Sequence, residues 1–366
     1  MPTAHPTTRH ALLLASALLA VACNSDDGPA GIEGSPNVTV VDLGFLSGDD
    51  QSIAYDVNGR RQVVGQSANG WTQVVRAFFW ENGQIRSIAP ASSLSSWARA
   101  INEADPVQIA GAQQSSNGFT WAIRWNGPSA DAAQLLETEP SDALGLNDHG
   151  VVVGVVCDGC TGSGQGAWRG AVWNGPGNRV TIDPLPGFRD AYATEINNAG
   201  FIVGISLERQ DGQAGPDPVA FLRLPSGEVV ALPIPSGAAG TEAYSISEVN
   251  GSNQFFVAGR SITSSGQQRT VRWTVSAEGT VLQTEDMGIT GWAGRVNDSG
   301  DFVGTSGSRP DAFIWRDGRV QLLAPVPNGS GTAAFGMNGG TTTTPTYVAG
   351  GSVLGPVARA TLWQVE

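Results

Sequence analysis

The stretch AGRVNDSGDFVG at residues 293–304, followed by AFIW at 312–315, holds the pattern that decides the fold. It contains an Ala, an Asn four residues later, a turn, an apolar pair before a Gly, and a strand that ends in Trp. The first part of this frame occurs at AYDVN (54–58), ARAIN (98–102), ALGLN (143–147), ATEIN (193–197), AYSIS (243–247), AGRVN (293–297) and AFGMN (334–338). Seven copies in register indicate an array of short repeats.

Each repeat is predicted to form four antiparallel strands. Asn-x-x-Gly turns such as NDSG (297–300) separate the first two strands, because Asn and Gly tolerate left-handed backbone angles. Since one such unit cannot bury both of its faces alone, radial stacking of neighbouring units is favoured. We therefore predict an all-β fold, a seven-bladed β-propeller of four-stranded antiparallel blades over residues 37–366. An open β-solenoid or an irregular sandwich is the alternative.

The two ends of the repeat region predict how the ring closes. Repeat seven stops after its third strand, ATLW (360–363), whereas VTVVDLG (38–44) precedes repeat one and resembles a fourth strand. If 38–44 pairs beside 359–365, the first and last blades interlock and no sheet edge remains open. The Trp residues that recur at the end of the third strand are predicted to pack in the core.

This frame resembles the HAF-repeat family of bacterial extracytoplasmic proteins, and the resemblance covers residues 37–366. The matching residues are the G/A-x-x-IN-x-x-G-x-VVG core and the Ala-Phe-x-Trp strand, as at 77–80 and 312–315. No repeat keeps the His that gives the family its name. Little function is attached to the family, so the resemblance implies fold and location and leaves activity open.

The N-terminus predicts export. Residues 1–22 read as a signal peptide, since Arg9 is followed by an apolar run that is too short to span a bilayer. The run ends at Cys23 in a sequence that resembles a lipobox, so Cys23 is predicted to carry lipid and residues 23–36 to form a flexible tether. Asn24, by the same resemblance, favours the outer membrane, with a periplasmic or cell-surface position. Plain secretion after an Ala-x-Ala site is the alternative.

The composition restricts the partners and the chemistry. The formal net charge is −13 and all twenty basic residues are Arg, which argues against nucleic acid and against membrane contact other than through the lipid anchor. Beyond the signal peptide the sequence has one histidine, His149, so Ser–His and Cys–His nucleophiles have little to be built from. We predict no cofactor, no metal site and a monomer.

The Cys157-Asp158-Gly159-Cys160 segment is predicted to form a small disulfide across a turn, because four-residue turns bring Cα atoms within disulfide range. A redox pair and a zinc site are the alternatives. The redox interpretation would normally require a helix of thioredoxin type. Zinc would require four ligands, and His149 lies at the far end of the preceding strand.

Two groups of residues are candidate functional sites. Asp56, Glu195 and Arg295 stand two positions beyond the repeat Ala and are predicted to line the channel. Aromatic residues on or near the variable loops are candidates for stacking on a carbohydrate or for contact with a protein: Trp71, Trp97, Trp168, Phe188 and Trp292.

The first functional hypothesis is a cell-envelope lipoprotein that acts as a non-catalytic module binding a protein or a glycan. A propeller glycan hydrolase that uses the channel carboxylates is the alternative, and a purely structural envelope component is a third. The sequence contains neither an Asp-box (Ser-x-Asp-x-Gly-x-x-Trp) nor a dense acidic cluster, which favours binding over sialidase-like chemistry.

Overall fold

Antiparallel β-sheets make up the described part of the chain. The computed structural model describes residues 38–116, 118–160, 166–208, 217–307, 311–339 and 345–366. Within these ranges the only helical element is a short 3-10 turn at Ala130–Ala132. The described residues contain no helix that is long and apolar enough to cross a membrane. The prediction of an all-β chain is confirmed. The predicted signal peptide, Cys23 and the tether lie outside the described residues.

Strands that are consecutive in sequence pair with one another in four sheets of four strands. Repeat one forms β2 (Gln51–Val57), β3 (Val63–Ala68), β4 (Val75–Glu81) and β5 (Gln84–Ser87). Repeat two forms β6 (Ser95–Ile101), β7 (Ile109–Gln114), β8 (Thr120–Trp125) and β9 (Ala133–Leu135). Repeat three forms β10 (Ser141–Leu146), β11 (Val152–Asp158), β12 (Ala167–Trp173) and β13 (Arg179–Ile182). Repeat four forms β14 (Asp190–Ile196), β15 (Ile202–Leu207), β16 (Val219–Arg223) and β17 (Val229–Ala231).

Repeats five and six share one seven-stranded sheet. It contains β18 (Gly240–Ile246), β19 (Gln254–Ile262), β20 (Gln268–Ser276), β21 (Val281–Val296), β22 (Phe302–Ser306), β23 (Ala312–Arg316) and β24 (Arg319–Leu322). Strand β21 pairs with β20 through its first part and with β22 through its last part. Gly288 (φ 72°) lies where the register with β20 shifts, between Asp286 and Thr290, and Gly291 (φ 129°) is the first residue that pairs with β22. Their left-handed backbone angles let the continuous strand pass from one unit to the next.

The sixth sheet joins the two ends of the repeat region. Its strand order is β1 (Val38–Gly44), β27 (Val357–Val365), β26 (Thr346–Leu354) and β25 (Gly331–Met337). Strands β1 and β27 are antiparallel, with Val38 opposite Val365. The N-terminal strand therefore fills the fourth position beside the three strands of repeat seven.

One hydrogen bond recurs between neighbouring repeats and also between the last and the first. A hydroxyl oxygen on a first strand accepts a hydrogen bond from a third-strand main-chain N–H of the preceding unit. Examples are Ser96 from Ala77 (3.0 Å), Ser141 from Ala122 (2.9 Å) and Thr332 from Ala312 (2.8 Å). Ser52 accepts in the same way from Ala360 (2.9 Å), so repeat one contacts repeat seven as it would contact a sequence neighbour.

The recurrent Trp residues pack between the units. Trp125, Trp173, Trp273 and Trp363 are fully buried. The Nε1–H groups of Trp125, Trp273 and Trp363 donate to carbonyls that follow the fourth strand of the preceding repeat, at 2.7–2.8 Å. These indoles fill the hydrophobic core between neighbouring sheets and also donate hydrogen bonds across the contact. Trp315 is half-buried and stacks on Phe302.

The predicted disulfide between Cys157 and Cys160 is present, with a Cα–Cα distance of 5.6 Å. Cys157 is 1% exposed and lies in an apolar cluster with Val155 and Trp168. The bonded and buried position favours a structural role. Residues 161–165, which continue this loop, lie outside the described residues.

Candidate functional site

The first strand of every repeat carries a β-bulge at the same place. The pairing register shifts immediately after the repeat Ala in β2, β6, β10, β14, β18, β21 and β25. The unpaired residues are all half-buried: Tyr55, Arg99, Leu144, Thr194, Tyr244, Gly294 and Phe335. A bulge bends a strand and re-aims its side chains, so all seven first strands are bent at the same position of the repeat.

A single cavity of about 320 Å³ lies where the first strands end, and it is lined by residues of all seven repeats. The seven first strands therefore converge around one axis, which we call the channel. Among the ionisable lining residues are five carboxylates and one guanidinium: Glu103, Asp148, Glu195, Glu248, Asp298 and Arg295. The channel has two ends. The acidic end is the one with the Asn-x-x-Gly turns, and the loop end is the one with the long loops between second and third strands.

The repeat Asn forms a girdle around the acidic end. Asn147 is 5% exposed, and its Oδ1 accepts hydrogen bonds from the main-chain N–H groups of His149 (3.2 Å) and Val151 (3.0 Å). Its Nδ2 donates to the carbonyl of Asn197 in the next repeat (3.2 Å). The same inter-repeat bond is made by Asn58, Asn102 and Asn197. The Asn thus orders its own turn and joins neighbouring repeats.

The residue after the repeat Asn builds a second, charged girdle. Its side chain accepts a hydrogen bond from the main-chain N–H of the equivalent residue in the preceding repeat. The donor–acceptor pairs are Gly59–Glu103 (2.5 Å), Glu103–Asp148 (2.8 Å), Asp148–Asn198 (2.8 Å), Asn198–Glu248 (2.9 Å) and Glu248–Asp298 (3.3 Å). Repeats one and seven carry Gly59 and Gly339 at this position, so the girdle is open there.

The girdle carboxylates are held in a poorly solvated, crowded arrangement. Burial raises the pKa of Glu248 to about 7; the Asn198 N–H opposes this rise, and the charges of Asp148 and Asp298 add to it. Burial also raises the pKa of Glu103 and of Asp298. These shifts mean that the acidic end binds protons more readily than isolated carboxylates do.

Asp56, Glu195 and Arg295, the predicted channel residues, form one ion cluster deeper in the channel. The Arg295 guanidinium pairs with Glu195 Oε2 and lies 3.8 Å from Asp56 Oδ2. Asp56 Oδ2 also accepts the Ile101 N–H (3.0 Å). The other oxygens, Asp56 Oδ1 and Glu195 Oε1, are buried and accept no hydrogen bond. Burial raises the pKa of Asp56, while Arg295 and the Ile101 N–H oppose the rise.

The loop end of the channel is aromatic and its charges are paired. Tyr55 and Phe335 contact each other with ring centroids 5.8 Å apart. Arg99 binds Asp142 through two hydrogen bonds of 3.0 and 2.8 Å. In a second group, Glu242 accepts hydrogen bonds from Tyr244 and Arg260. Burial raises the pKa of Tyr55 to about 12, so its hydroxyl is neutral and can donate.

The five aromatic candidates occupy different environments. Trp71 is 92% exposed at the tip of the loop between β3 and β4. Trp97, Phe188 and Trp292 are half-buried. Trp168 is 4% exposed, lies within β12 and stacks on Tyr192. The expectation that Trp168 projects from a variable loop is wrong, because strand alternation turns its side chain into the contact between repeats three and four.

The exposed large apolar side chains cluster at the loop end. Five of the seven among the described residues lie in segments that open onto this end, and two lie in outer strands. The five are Phe45, Trp71, Val74, Leu94 and Ile234. Val74 and Leu94 directly precede Val75 and Ser95, which share a hydrogen bond of 3.2 Å. Exposed apolar side chains gathered at one end of the molecule favour an interaction site there.

Sequence reasoning missed the acidic girdle. Its members are 45 to 50 residues apart, so they form no run in the chain. The available signal was the position after the repeat Asn, or after Ser247 in repeat five, which is acidic at Glu103, Asp148, Glu248 and Asp298. The expectation that no dense acidic cluster exists is wrong for the folded protein, because the repeat geometry brings these positions together.

No family model matches the sequence, and no curated protein matches it. The structure is similar to the β-propeller domain of the Trilobed protease from Pyrococcus furiosus (10% identity, covering 86% of this chain and 94% of that chain, TM-score 0.51). It is also similar to YCF48 from Cyanidioschyzon merolae (9% identity, 90% and 98%, TM-score 0.50). Identities this low speak for architecture alone. Together with the antiparallel sheets around one channel, they show that this chain has a β-propeller fold.

Proposed function

We propose that the protein is a cell-envelope lipoprotein whose seven-bladed, closed propeller acts as a non-catalytic binding module for a protein or a glycan. Binding takes place at the loop end of the channel. The observation that carries the proposal is Trp71, a 92% exposed indole. Large aromatic side chains are hot spots of recognition, and a free indole on a rigid support loses little conformational entropy on binding.

The loop around Trp71 is ordered by its own hydrogen bonds. Asn69 Oδ1 accepts from the N–H groups of Trp71 (3.0 Å) and Thr72 (3.1 Å), and Asn69 Nδ2 donates to the Gly48 carbonyl (2.6 Å). The Gly70 N–H donates to Asp50 Oδ1 (3.0 Å). These bonds hold the loop to the neighbouring segment without covering the indole, which supports a role in recognition.

Seven blades and closure are supported by the repeat contacts. Seven copies of the frame each contribute a bulged first strand to one cavity. Strand β21 is then the fourth strand of blade five and the first strand of blade six. The Ser52–Ala360 bond and the β1–β27 pairing give the first and last repeats the contacts of ordinary neighbours. A monomer without nucleic acid as partner completes the proposal.

The proposed location rests on the sequence of residues 1–36. The short apolar run and Cys23 support export and lipid attachment, with the outer membrane as destination. A single acyl chain anchors only marginally, so several chains are expected. Mass spectrometry of the N-terminal peptide from membrane fractions tests this: lipid on Cys23 supports it, and an unmodified Cys23 in the culture medium favours plain secretion.

Binding is favoured over glycan hydrolysis by the arrangement of the channel carboxylates. Asp56 and Glu195 both interact with Arg295, and a hydrolase needs one carboxylic acid and one free carboxylate flanking the bond to be cleaved. Because both carboxylates interact with the same guanidinium, neither of them is a free carboxylate. This supports a structural or electrostatic role for the pair.

To test this proposal, the purified protein is incubated with a panel of envelope and host glycans. Glycan retention by the protein and release of cleaved product are measured together. We expect retention without product, and Trp71→Ala should weaken it by at least about tenfold, as for a hot-spot aromatic. Leu282→Ala, which removes an apolar side chain that is 58% exposed in an outer strand, is the matched control and should not change retention.

Product release that disappears in Asp56→Asn/Glu195→Gln would contradict the proposal and support the hydrolase. If no glycan is retained, the same pair of variants is compared in crosslinking to envelope proteins, where Trp71→Ala should reduce the crosslinked species. Equal losses in Trp71→Ala and Leu282→Ala would show that the loop end has no special role.

A further inference from the structure

The acidic end of the channel has the features of a second site that is separate from the exposed aromatic surface. Its cavity of about 320 Å³ is lined by five carboxylates and only one guanidinium, Arg295. A volume of this size is at the lower limit of small-molecule sites. The excess of negative charge in a partly enclosed space attracts cations and raises their local concentration.

One residue that lines this cavity carries a buried, unsatisfied acceptor. Glu195 lines it, its side chain is 5% exposed, and its Oε1 accepts no hydrogen bond while Oε2 pairs with Arg295. Gly145 leaves the space that this oxygen needs, since a Cβ on Gly145 would lie 2.8 Å from Glu195 Oε1. Buried acceptors are almost always paired in proteins, so Glu195 Oε1 calls for a donor from a ligand.

The spacing of the carboxylates favours an organic cation over a metal ion. Among the described residues, no group of three or more His, Cys, Asp or Glu side chains is placed to hold a metal ion. Glu195 lies in β14, and the girdle position of the same repeat, Asn198, lies three residues further on, in the turn that follows this strand. Three residues span at most about 10 Å of extended chain. A linear molecule with separated ammonium groups can reach both levels, whereas one compact ion cannot.

We propose that the acidic end of the channel binds a small linear polyamine, with one ammonium group on Glu195 Oε1 and another among the girdle carboxylates Glu103, Asp148, Glu248 and Asp298. Each ammonium group donates three hydrogen bonds and accepts none, which matches a lining of carboxylate oxygens. The girdle oxygens already accept one main-chain N–H each. Their positions are therefore set before the ligand arrives, which reduces the entropy lost on binding.

The position where the girdle is open, at Gly339, allows the most specific test of polyamine binding. Gly339 lines the cavity, its φ is not left-handed, and a Cβ built on it meets nothing within 4 Å. Gly339→Lys therefore places a fixed cation at the site without removing any carboxylate. Gly339→Gln, of similar length and without charge, is the matched control.

The purified protein is titrated with spermidine by calorimetry at pH 8 in low salt. We expect binding of one molecule per chain, weakened at least about tenfold by Gly339→Lys through like-charge repulsion and by less than about twofold in Gly339→Gln. Glu195→Gln should also weaken binding about tenfold, because it replaces a charge-assisted hydrogen bond. No binding by the unsubstituted protein, or equal affinity in all variants, would overturn the proposal.

Nonspecific attraction to an acidic surface is separated by a second control. Glu228→Gln removes one negative charge from an exposed hairpin turn between β16 and β17, so it should leave spermidine binding unchanged. A loss equal to that of Glu195→Gln would contradict a defined site. Melting temperatures of all variants are recorded, and Asp298→Asn replaces Glu195→Gln if the latter fails to fold.

Two further probes identify the source of the ammonium group. A short acetylated, amidated peptide containing two Lys residues stands for a protein partner, and MgCl2 alone stands for a metal ion. We expect spermidine to bind more tightly than either. If the peptide or MgCl2 binds as tightly, with the same loss in Gly339→Lys, the small-molecule assignment is wrong.

Discussion

At the loop end of the channel the bulge residues include Tyr55, Tyr244 and Phe335, and the charges there are paired. At the acidic end, a few residues further along the same strands, carboxylates outnumber their cationic partners. The two ends differ because they draw on different parts of the repeat. The loop end uses positions that the repeat leaves variable, whereas the acidic end uses the position after the Asn that six of the seven repeats share.

This difference shows how one repeat frame supports two kinds of surface. In four repeats the Asn side chain accepts from its own turn and donates to the next repeat, which holds the following residue at the rim of the channel. The negative charge at the rim therefore increases with each repeat that carries a carboxylate at this position. At the loop end the segments vary in length and sequence, so exposed groups such as Trp71 remain individual.

The largest effect on stability should follow from replacing one of the Asn residues that join neighbouring repeats at the acidic end. Asn147→Ala leaves the half-buried N–H of Val151, the N–H of His149 and the buried Asn197 carbonyl without this partner. We expect the free energy of unfolding to fall by about 2–4 kcal/mol, since each lost partner costs about 1–3 kcal/mol where water cannot replace it. Urea unfolding measures the change.

The control is Asn174→Ala, at an exposed Asn that follows the Trp strand of the same repeat. It should change stability by less than about 0.5 kcal/mol, as is usual for surface positions. If the two variants lose the same stability, the Asn girdle does not hold the acidic end together.

A smaller effect is expected at the loop end, where neighbouring repeats are joined by hydroxyl groups. Ser52→Ala removes the acceptor of the Ala360 N–H, and Ser96→Ala removes the acceptor of the Ala77 N–H. Each should cost about 1–2 kcal/mol, since a buried donor is left unpaired. Both losses are measured by thermal unfolding in parallel.

Equal losses would mean that the contact between the first and last repeats contributes as much to stability as a contact between sequence neighbours, as expected for a closed ring. If Ser96→Ala destabilises the protein and Ser52→Ala does not, closure fails, and the two ends of the repeat region separate without cost.

The smallest effect, and the one that best separates the two ends, is a pH dependence. The pKa of Glu248 is raised from its ordinary value of 4.5 to about 7 in the folded state. The folded protein therefore binds this proton more tightly than the unfolded chain does. The resulting stabilisation is fully present below pH 4.5 and is lost as the pH rises through 7. The melting temperature should accordingly fall between pH 5 and pH 8.

Glu248→Gln should flatten this dependence and raise the melting temperature at pH 8, because Gln can still accept the Asn198 N–H without carrying charge. Glu228→Gln, at an exposed carboxylate, should leave the slope unchanged. A slope that is the same in both variants would show that Glu248 is not the titrating group. Glu103 and Asp298, whose pKa values are also raised, would then be substituted in turn.

Much of the fold could be read from the chain because its elements are local. The hairpin turn requires Asn and Gly, the strands alternate, and the Trp recurs at one place, so strand order and pairing within a repeat follow from short-range chemistry. The joined strand β21 was not predicted. Gly288 and Gly291 adopt left-handed angles where β21 passes from pairing with β20 to pairing with β22, which a sequence pattern does not reveal.

The site was only partly predictable. Asp56, Glu195 and Arg295 were named from their common position in the repeat, but their association through one guanidinium depends on bringing three different repeats to one axis. Trp168 was misplaced because the boundary between loop and strand in repeat three is set by pairing with β11. The long loop sequence by itself shows no such boundary.

By itself the sequence determines the repeat, its four strands and the turn chemistry, because these depend on residues that are neighbours in the chain. Only the tertiary structure decides how the bulged first strands of the seven repeats meet at one cavity. It also decides the acidic girdle and the buried, unpaired Glu195 oxygen. Those features arise where residues 45 to 100 positions apart meet, and the energy of such contacts depends on distance in space.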